Sequence, residues 1–331
     1  MPEAIRKVNV IGHLNPDTDS ICSAIAYAYL KNKLGNTDIY EARRAGAVNR
    51  ETAFALKHFG FAEPELITTV TPQIKDCEVQ KQDGIEAGMS LFAAWSRMRE
   101  TGTDTLCITD EQDNLGGLIA VKDIANANLD IFDTEVIAES ATSYANIVST
   151  LNGEMLLGNP EATVTEGSVR VGTTPEMMED TVKKGDLVLV TNRYETQQFA
   201  VECDASCIVV CCGAHVSPQV MASAKRHGCA IIATPYDTYA ASRLICMSIP
   251  VRAKMIPEKN TIKFSVNTAV DDAKKTIASS RHRFFPVIDE DGKYVGLVNT
   301  PSLLTAKKKH VILVDHNERS QAVEGLEQAE I

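Results

Sequence analysis

Residues 7–35 read KVNVIGHLNPDTDSICSAIAYAYLKNKLG, and this stretch decides the fold at the start of the chain. Its first part, residues 7–12, alternates apolar and polar side chains and predicts a β-strand. A polar turn follows, and apolar residues then recur at helical spacing as far as Gly35, which suits a helix C-cap. A strand that leads through a turn into a helix is the usual opening of a parallel α/β domain.

The same alternation continues beyond this stretch. Residues 37–45, TDIYEARRA, predict a second strand. Residues 49–60, NRETAFALKHFG, predict a second helix that begins at the N-cap Asn49 and ends at Gly60. Strand, helix, strand and helix in this order indicate an α/β domain with a parallel sheet.

Two later segments, residues 67–130 and 248–308, share one order of predicted elements: a helix, two strands and the start of a further helix. The dipeptide Gly-Leu recurs at Gly117 and Gly296, at an offset of 179 residues (296 − 117 = 179). A common offset over a common element order predicts an internal repeat. Between the copies, residues 131–247 alternate buried strands with helices and predict another small α/β module.

Composition and charge exclude several classes of protein. The 331 residues include 33 Lys and Arg against 44 Asp and Glu, for a net charge of −11. The length predicts two or three domains, and the acidic balance argues against non-specific binding to nucleic acid. No apolar run approaches the roughly 20 residues of a membrane span, and the N-terminus has no signal-peptide pattern. We therefore expect a cytoplasmic protein that binds neither membranes nor nucleic acid.

The cysteines concentrate in one part of the chain. Of the nine, five lie from Cys203 to Cys229, and three of these five belong to the apolar run CIVVCC at residues 207–212. A thiolate metal site is one interpretation of this cluster. The absence of a paired Cys-x-x-Cys favours the other interpretation, in which these residues are buried thiols of a core strand.

Titratable side chains collect where the first strand is predicted to end. His13, Asp17 and Asp19 lie in the loop before the first helix, and ligands bind at such loops in open parallel sheets. An imidazole and two carboxylates suit Mn²⁺, Mg²⁺, Fe²⁺ or Zn²⁺, and the oxygen-rich set favours Mn²⁺. Asp315 ends another predicted strand and is placed to reach the same crevice. The alternative is that residues 15–19 form only a turn and an N-cap at the helix dipole.

Residues 13–20, His-x-Asn-Pro-Asp-x-Asp-Ser followed by an Ala-rich helix, resemble the first motif of the DHH phosphoesterase superfamily. Within it, they are most similar to the family II, manganese-dependent inorganic pyrophosphatases. Residues 44–52 and 314–318 resemble two further segments of that family. The repeated segments resemble CBS domains, and the module between them resembles a DRTGG domain with its signature in altered form near residues 191–195. This layout is that of the regulated pyrophosphatases.

The resemblance implies an α/β chain in which a DHH-type parallel-sheet domain is interrupted by a tandem CBS pair, with a DRTGG-like α/β module between the CBS repeats. The implied domains are the first part of the DHH domain (1–66), the first CBS domain (67–130), the DRTGG-like domain (131–247), the second CBS domain (248–308) and the resumed, incomplete DHH domain (309–331).

The resemblance also implies hydrolysis of inorganic pyrophosphate to phosphate at a two-metal centre. His13 and Asp17 would bind one Mn²⁺, Asp19 the second and Asp315 both, with Co²⁺ or Mg²⁺ as alternatives. His316 would be a neighbouring catalytic residue. Two such ions would activate a bridging water and polarise the phosphoryl oxygens. The family continues to an Asp-His-His signature and a further domain beyond the point where this sequence stops, so we expect little hydrolysis by this chain alone.

The CBS resemblance implies a regulatory adenine nucleotide: AMP, ADP, ATP or a diadenosine polyphosphate. Asp123 of the first repeat would bind the ribose, and Thr300 lies in the corresponding segment of the second. Arg281 and His282 would bind phosphate, and Phe285 would stack on adenine. The alternatives are a solvated helix end for the two basic residues and a core position for Phe285. Because CBS domains commonly dimerise through their helices, we expect a homodimer.

Two other functions stay open. One is a non-catalytic adenine-nucleotide sensor that keeps only a remnant of the catalytic domain, and the other is a DHH phosphoesterase acting on oligonucleotides or cyclic dinucleotides. Nucleotide binding without turnover would favour the sensor, and a substrate screen would reveal the second. The run Lys307-Lys308-Lys309 is interpreted as a solvated hinge before the last strand.

Overall fold

The computed structural model describes residues 6–35, 37–129, 134–280 and 282–314. Its strands are β1 (Lys7–Ile11), β2 (Ile39–Arg44), β3 (Glu65–Leu66), β4 (Thr105–Thr109), β5 (Leu115–Ala120), β6 (Glu154–Leu157), β7 (Val169–Val171), β8 (Leu187–Val190), β9 (Cys207–Val210), β10 (Ala230–Ala233), β11 (Ile256–Pro257), β12 (Phe264–Ser265), β13 (Phe284–Ile288), β14 (Tyr294–Asn299) and β15 (His310–Leu313). Its helices are α1 (Thr18–Lys33), α2 (Arg50–Phe59), α3 (Leu91–Thr101), α4 (Val121–Leu129), α5 (Val136–Glu139), α6 (Tyr144–Thr150), α7 (Pro175–Met178), α8 (Tyr194–Glu202), α9 (Pro218–His227), α10 (Thr238–Leu244), α11 (Val270–Ala278) and α12 (Thr300–Leu304).

The chain divides into two compact units. The described residues within Met1–Gln82 and Lys263–Ile331 form the first, and those within Asp83–Ile262 form the second. The first unit contains a parallel sheet with the strand order β15-β1-β2-β3 and a smaller sheet with the order β12-β13-β14. The predicted α/β fold class is confirmed, with strands from both ends of the described chain side by side in one parallel sheet.

The first two helices begin and end close to where the sequence predicts. The Asp17 carboxylate caps α1 by accepting a hydrogen bond from the Ser20 N–H at 2.9 Å. Asn49 caps α2 in the same way, and Gly60 ends that helix in the left-handed conformation. The C-cap of α1 is Leu34, one residue before the predicted Gly35. Side-chain N-caps of this kind contribute about 1 kcal/mol each to helix stability.

The internal repeat is visible in strand register. Strands β4 and β5 correspond to β13 and β14 at the offset of 179, with the same lengths. Each hairpin carries its register shift at the equivalent place, after Ile108 in the first copy and after Val287 in the second. β5 and β14 also share one burial pattern along their six residues. Two sequence segments of low identity thus form the same hairpin.

The first part of each copy pairs with the hairpin of the other copy. In the second unit β11, which lies in the first part of the second copy, pairs antiparallel with β5 of the first copy. In the first unit Gln80, which lies in the first part of the first copy, bridges Leu297 in β14 of the second. Each exchanged backbone runs over a glycine of the receiving strand, and a Cβ on Gly117 or Gly296 would lie 2.3 Å or 2.6 Å from its carbonyl oxygen. The repeated glycines therefore admit the exchanged strands.

The central module of the second unit is a sheet with the order β6-β10-β9-β8-β7, in which β7 to β10 are parallel and β6 is antiparallel. Strands β8 and β9 are buried along their whole length, as expected for strands covered on both faces. Cys207 and Cys211 are buried in or next to β9, and Cys229 precedes β10. Burial raises the pKa of Cys211 to about 11 and that of Cys229 to about 12. These thiols are therefore protonated at neutral pH, as predicted for core cysteines. The prediction of burial is wrong for Cys212, which is exposed in the turn after β9, and Cys203 is only partly buried.

Among the helices that the structure describes, none combines the length and the apolar composition needed to cross a membrane.

Candidate metal centre and nucleotide contacts

The candidate metal residues lie at the carboxyl ends of neighbouring parallel strands. His13 follows β1, and β15 runs beside β1 with Leu313 opposite Ile11. The Val314 N–H donates to the Ile11 carbonyl at 2.8 Å, so the chain leaves β15 beside the loop that carries His13. Asp315 and His316, the other predicted metal and catalytic residues, lie outside the described residues. The loop that carries His13 and the end of β15 therefore lie at one edge of the sheet.

His13 and Asp17 converge. The His13 Nε2 lies 3.5 Å from the Asp17 Oδ1, and the imidazole side chain is only 14% exposed, whereas the carboxylate is 56% exposed. The same Oδ1 caps α1, so the turn-and-cap interpretation of this loop is also correct as local geometry. The two roles are compatible because a carboxylate offers about four lone-pair sites to donors and metal ions.

Asp19 takes a different direction. It is the second residue of α1, it is exposed, and its Oδ1 accepts a hydrogen bond from the Ser23 hydroxyl at 3.4 Å. Within the described ranges, no three His, Cys, Asp or Glu side chains converge closely enough to hold a metal ion. The structure therefore brings His13 and Asp17 together, and the Asp19 carboxylate accepts a hydrogen bond from Ser23 on its own helix.

The metal loop rests on the loop that follows β2. Gly46 lies so close that a Cβ there would meet the Leu14 carbonyl oxygen at 2.3 Å. The Arg44 guanidinium holds this second loop by donating to the Gly46 carbonyl at 2.7 Å. The hydroxyls of Thr18 and Thr52 are 3.0 Å apart and join α1 to α2. The sequence analysis did not identify Gly46 as a support of the site, and no local pattern marks it.

Among the described residues near this loop, Ser20 has a buried side-chain hydroxyl without a hydrogen-bond partner. Its side chain is buried, with 5% exposure, and its Oγ has no hydrogen-bond partner among the described residues. The hydroxyl packs against Gly12, where a Cβ would lie 1.9 Å from it. A buried hydroxyl without a partner costs about 1–3 kcal/mol. The His13 imidazole and the Asp17 carboxylate are donors of the types that suit Mn²⁺ or Co²⁺.

The two CBS copies differ at the predicted ribose position. The Asp123 Oδ2 accepts a hydrogen bond from the Ala120 N–H at 2.9 Å, so this carboxylate folds back on the start of α4. At the corresponding place in the second copy, the Asn299 Oδ1 accepts from the Ser302 N–H at 2.8 Å. Thr300 is the exposed first residue of α12. A helix cap is therefore formed in both copies, by a carboxylate in one and an amide in the other.

The remaining predicted nucleotide contacts lie at β13. His282 is exposed, and its backbone N–H donates to the Ser280 hydroxyl at 3.1 Å. Arg281 lies outside the described residues. Phe285 is 1% exposed, and its ring lies 5.7 Å from that of Phe264, which is the core position given as its alternative. Roles in nucleotide binding stay predictions for all three.

Comparison with protein families and known proteins gives consistent matches. The family model of the DRTGG domain matches residues 146–248, and that of the CBS domain matches residues 253–309. The chain is 37% identical over 325 residues to the cobalt-dependent inorganic pyrophosphatase of Clostridium perfringens. The aligned region covers 98% of this chain and 59% of that protein. It is 29% identical over 330 residues to the probable manganese-dependent inorganic pyrophosphatase of Thermotoga maritima, covering 99% of this chain and 60% of that one.

A solved structure matches the regulatory part. It contains the CBS and DRTGG domains of the regulatory region of Clostridium perfringens pyrophosphatase, complexed with the activator diadenosine tetraphosphate. The match has a TM-score of 0.65 and 32% identity, and it covers 69% of this chain and 99% of that one. The chain as a whole spans about 60% of the length of the curated relatives that it matches.

Proposed function

Since the chain belongs to the family of metal-dependent inorganic pyrophosphatases that carry CBS and DRTGG domains, we propose that it provides one metal-binding side of a pyrophosphatase and the nucleotide-binding region that regulates it. The observation that carries the catalytic part is the approach of His13 to Asp17 at the carboxyl end of β1. β15 ends at the same edge, where the Val314 N–H donates to the Ile11 carbonyl. This arrangement supports hydrolysis of pyrophosphate at that edge.

The chain's own residues would hold and orient the reactants. His13 and Asp17, with Asp19 and Asp315 as further predicted ligands, would hold Mn²⁺ or Co²⁺. Such ions supply Lewis acidity that activates water and neutralises pyrophosphate oxygens. His316 lies next to this set in sequence and is proposed as a neighbouring catalytic residue.

The scaffold would keep this site in place. The Ser20 N–H fixes the Asp17 carboxylate at the start of α1, and the loop at Gly46 supports the segment between His13 and Asp17. The N-terminus of α1 points into the same loop, and the partial positive charge of a helix N-terminus favours a phosphate there. Water and substrate would thus meet on a rigid edge formed by two parallel strands and two helix starts.

The proposed regulation uses the CBS region. The related regulatory region binds diadenosine tetraphosphate as its activator, and we extend to this chain an adenine nucleotide or diadenosine polyphosphate as ligand. Asp123 remains the proposed ribose contact, with Arg281, His282, Phe285 and Thr300 as further predicted contacts. To bind the carboxylate, the ribose hydroxyl would have to replace the Ala120 N–H as its donor or bond to it alongside that N–H. Asp123 would then change partners when the nucleotide binds.

We also propose that the chain forms a homodimer through its CBS helices. In the second unit, a cleft of about 340 Å³ between α3 and α4 is lined mainly by apolar side chains, among them Phe92 and Trp95. In the first unit, the equivalent helices α11 and α12 border a cleft of about 470 Å³, where Leu304 is 74% exposed. Light scattering after size-exclusion chromatography measures the expected mass of two chains, and a single-chain mass would contradict this.

The catalytic proposal is tested by metal binding and by hydrolysis. Calorimetric titration with Mn²⁺ and Co²⁺ should show binding that Asp17→Asn weakens at least about tenfold, because one ligand is lost. Asp180→Asn, which alters an exposed carboxylate in the other unit, is the matched control and should leave affinity unchanged. Equal affinities in the two variants would contradict the proposed centre. Phosphate release from pyrophosphate is then measured with the same proteins.

A nucleotide sensor is the second candidate function, favoured by the coverage of 99% of the solved regulatory region by this chain. Titration with AMP, ADP and diadenosine tetraphosphate separates the two. Nucleotide binding together with metal-dependent phosphate release by the natural gene product that contains residues 1–331 supports the regulated pyrophosphatase. Nucleotide binding with no phosphate release from that product under either metal supports the sensor.

A further inference from the structure

A groove of about 1060 Å³ lies within the first unit, beside the parallel sheet. Its floor includes Asn9, Glu41 and Arg43, which point away from the face of the sheet that α1 covers through Ala24. Its rim is formed by residues 75–78, in the first part of the first CBS copy, and by residues 305 and 307–310 at the end of the second. The groove is separate from the loop that carries His13 and from the predicted ribose positions, none of which line it.

The net charge of the groove is positive, whereas that of the whole chain is negative. Seven of its lining side chains are Lys or Arg and four are Asp or Glu, so it carries a net charge of +3 before its histidine is counted. The complete sequence has a net charge of −11. A concave surface that gathers positive charge on an acidic protein raises the local concentration of anions.

Three of the four carboxylates that line the groove form ion pairs with cations that also line it. Glu41 forms ion pairs with Lys7, at 3.1 Å, and with Arg43, and its pKa is held below its usual range mainly by the hydrogen bond from Lys7. Glu65 pairs with the same Arg43. Asp76 pairs with Lys309 at 3.3 Å across the rim. These pairs neutralise one another and leave the remaining cations in excess.

Four lining cations and the carboxylate of Glu78 remain. Arg6 pairs with Asp38 at 3.0 Å, and the other three cations are lysines of the rim. Lys307 and Lys308 are exposed, and no carboxylate among the described residues lies within ion-pair distance of either. Lys75 donates at 2.8 Å only to the uncharged side-chain oxygen of Asn267. The Lys307 N–H bonds the Asp76 carbonyl, which holds the two lysine segments side by side. Three ammonium groups therefore border one opening.

We propose that this groove binds a linear inorganic oligophosphate, of the length of tripolyphosphate or longer. Its volume exceeds what one phosphate ion fills, and three neighbouring ammonium groups match a chain that bears a negative charge on every phosphate. Its lining contains no Phe, Tyr or Trp, so it offers no aromatic platform on which a nucleotide base would stack. This points to the inorganic chain rather than a nucleotide polyphosphate. The site does not depend on the proposed catalysis.

The test is calorimetric titration of the full chain with sodium tripolyphosphate in the presence of EDTA, which keeps any metal centre empty. The double variant Lys307→Glu/Lys308→Glu should bind at least about tenfold more weakly, because both substitutions place negative charge at the opening. The matched control is Lys183→Glu/Lys184→Glu, which changes charge equally at two adjacent exposed lysines of the second unit and should bind like the unaltered chain. Circular dichroism confirms that all three proteins are folded.

Two competitors complete the design. AMP at saturating concentration should not displace tripolyphosphate, and a short single-stranded RNA at equal phosphate concentration should compete at least about tenfold less well, since the groove lacks a stacking surface. The proposal is overturned by absence of tripolyphosphate binding, by equal loss in both double variants, or by full displacement with AMP. Equal competition by RNA would replace the oligophosphate assignment with a nucleic-acid site.

Discussion

Because the CBS copies exchange strands, we expect the stability of the protein to be unusually sensitive to substitution of one glycine, Gly117. In Gly117→Ala, the new Cβ would lie 2.3 Å from the Ile256 carbonyl oxygen, which is backbone and cannot rotate aside. Relief of this contact requires β11 to move by about 1 Å, and this breaks the pairing of Ile256 with Leu118. Overpacking of this kind costs about 1–3 kcal/mol of unfolding free energy.

Gly116→Ala is the matched control. It lies one residue away on the exposed face of the same strand, and its Cβ would meet the nearest atom, the Ile108 carbonyl oxygen, at an ordinary 3.6 Å. Neither glycine has a positive φ, so the two substitutions differ in the space available and not in backbone strain. Gly116→Ala should therefore change stability by less than about 0.5 kcal/mol.

Urea unfolding followed by tryptophan fluorescence measures the effect. The sequence has one tryptophan, Trp95, which lies on α3 of the same unit and packs against its core. With an m-value of about 2 kcal/mol/M, a loss of about 2 kcal/mol lowers the urea midpoint by about 1 M. Identical midpoints for Gly117→Ala and Gly116→Ala would refute the exchanged arrangement.

Three further predictions concern the first unit and share circular dichroism as their readout during urea unfolding. Asn49→Ala removes the N-cap of α2 and should cost about 1 kcal/mol, whereas an unchanged midpoint would mean that the cap carries no stability. Lys309→Met removes the ion pair with Asp76, and this should lower the midpoint at low salt and have little effect in 1 M NaCl, where charges are screened. Glu41→Gln tests pH: because the folded-state pKa of Glu41 lies below its ordinary 4.5, its stabilisation is complete above that value and is lost as the pH falls through the folded pKa. The difference in midpoint from the unaltered chain should therefore shrink on acidification, and a difference that grows would contradict the ion pairs at Lys7.

Local signals in the sequence predict local structure well in this chain. The alternation in residues 7–12 and the caps Asn49 and Gly60 correspond to β1 and α2 as the structure has them. The repeat offset also holds to the residue in both hairpins. The exchange of the first parts of the two copies was not predicted, because short strands such as β11 are defined by a distant partner and carry no periodic pattern of their own. The role of Gly117 became clear only with that partner in place.

In the candidate site, too, the sequence predicted the local features and missed those that depend on distant segments. The rule that ligands bind at the carboxyl ends of parallel strands identified the loop in which His13 meets Asp17. Sequence spacing treated Asp17 and Asp19 as neighbours on one extended face, but α1 begins at Thr18, so Asp19 follows the helix and turns toward Ser23. The groove beside the sheet was not predicted at all. Lys307 and Lys308 were interpreted as a solvated hinge, and their common opening with Lys75 arises from contacts between segments more than 200 residues apart.

The central claim is that residues His13 and Asp17 belong to the metal centre of a nucleotide-regulated pyrophosphatase. It is tested most directly by phosphate release from pyrophosphate, measured with Mn²⁺ or Co²⁺ for the natural gene product that contains residues 1–331, with and without diadenosine tetraphosphate. We expect metal-dependent release that the nucleotide changes and that Asp17→Asn lowers at least about tenfold, while Asp180→Asn leaves it intact. Release that is absent with both metals, or that survives Asp17→Asn undiminished, would contradict it.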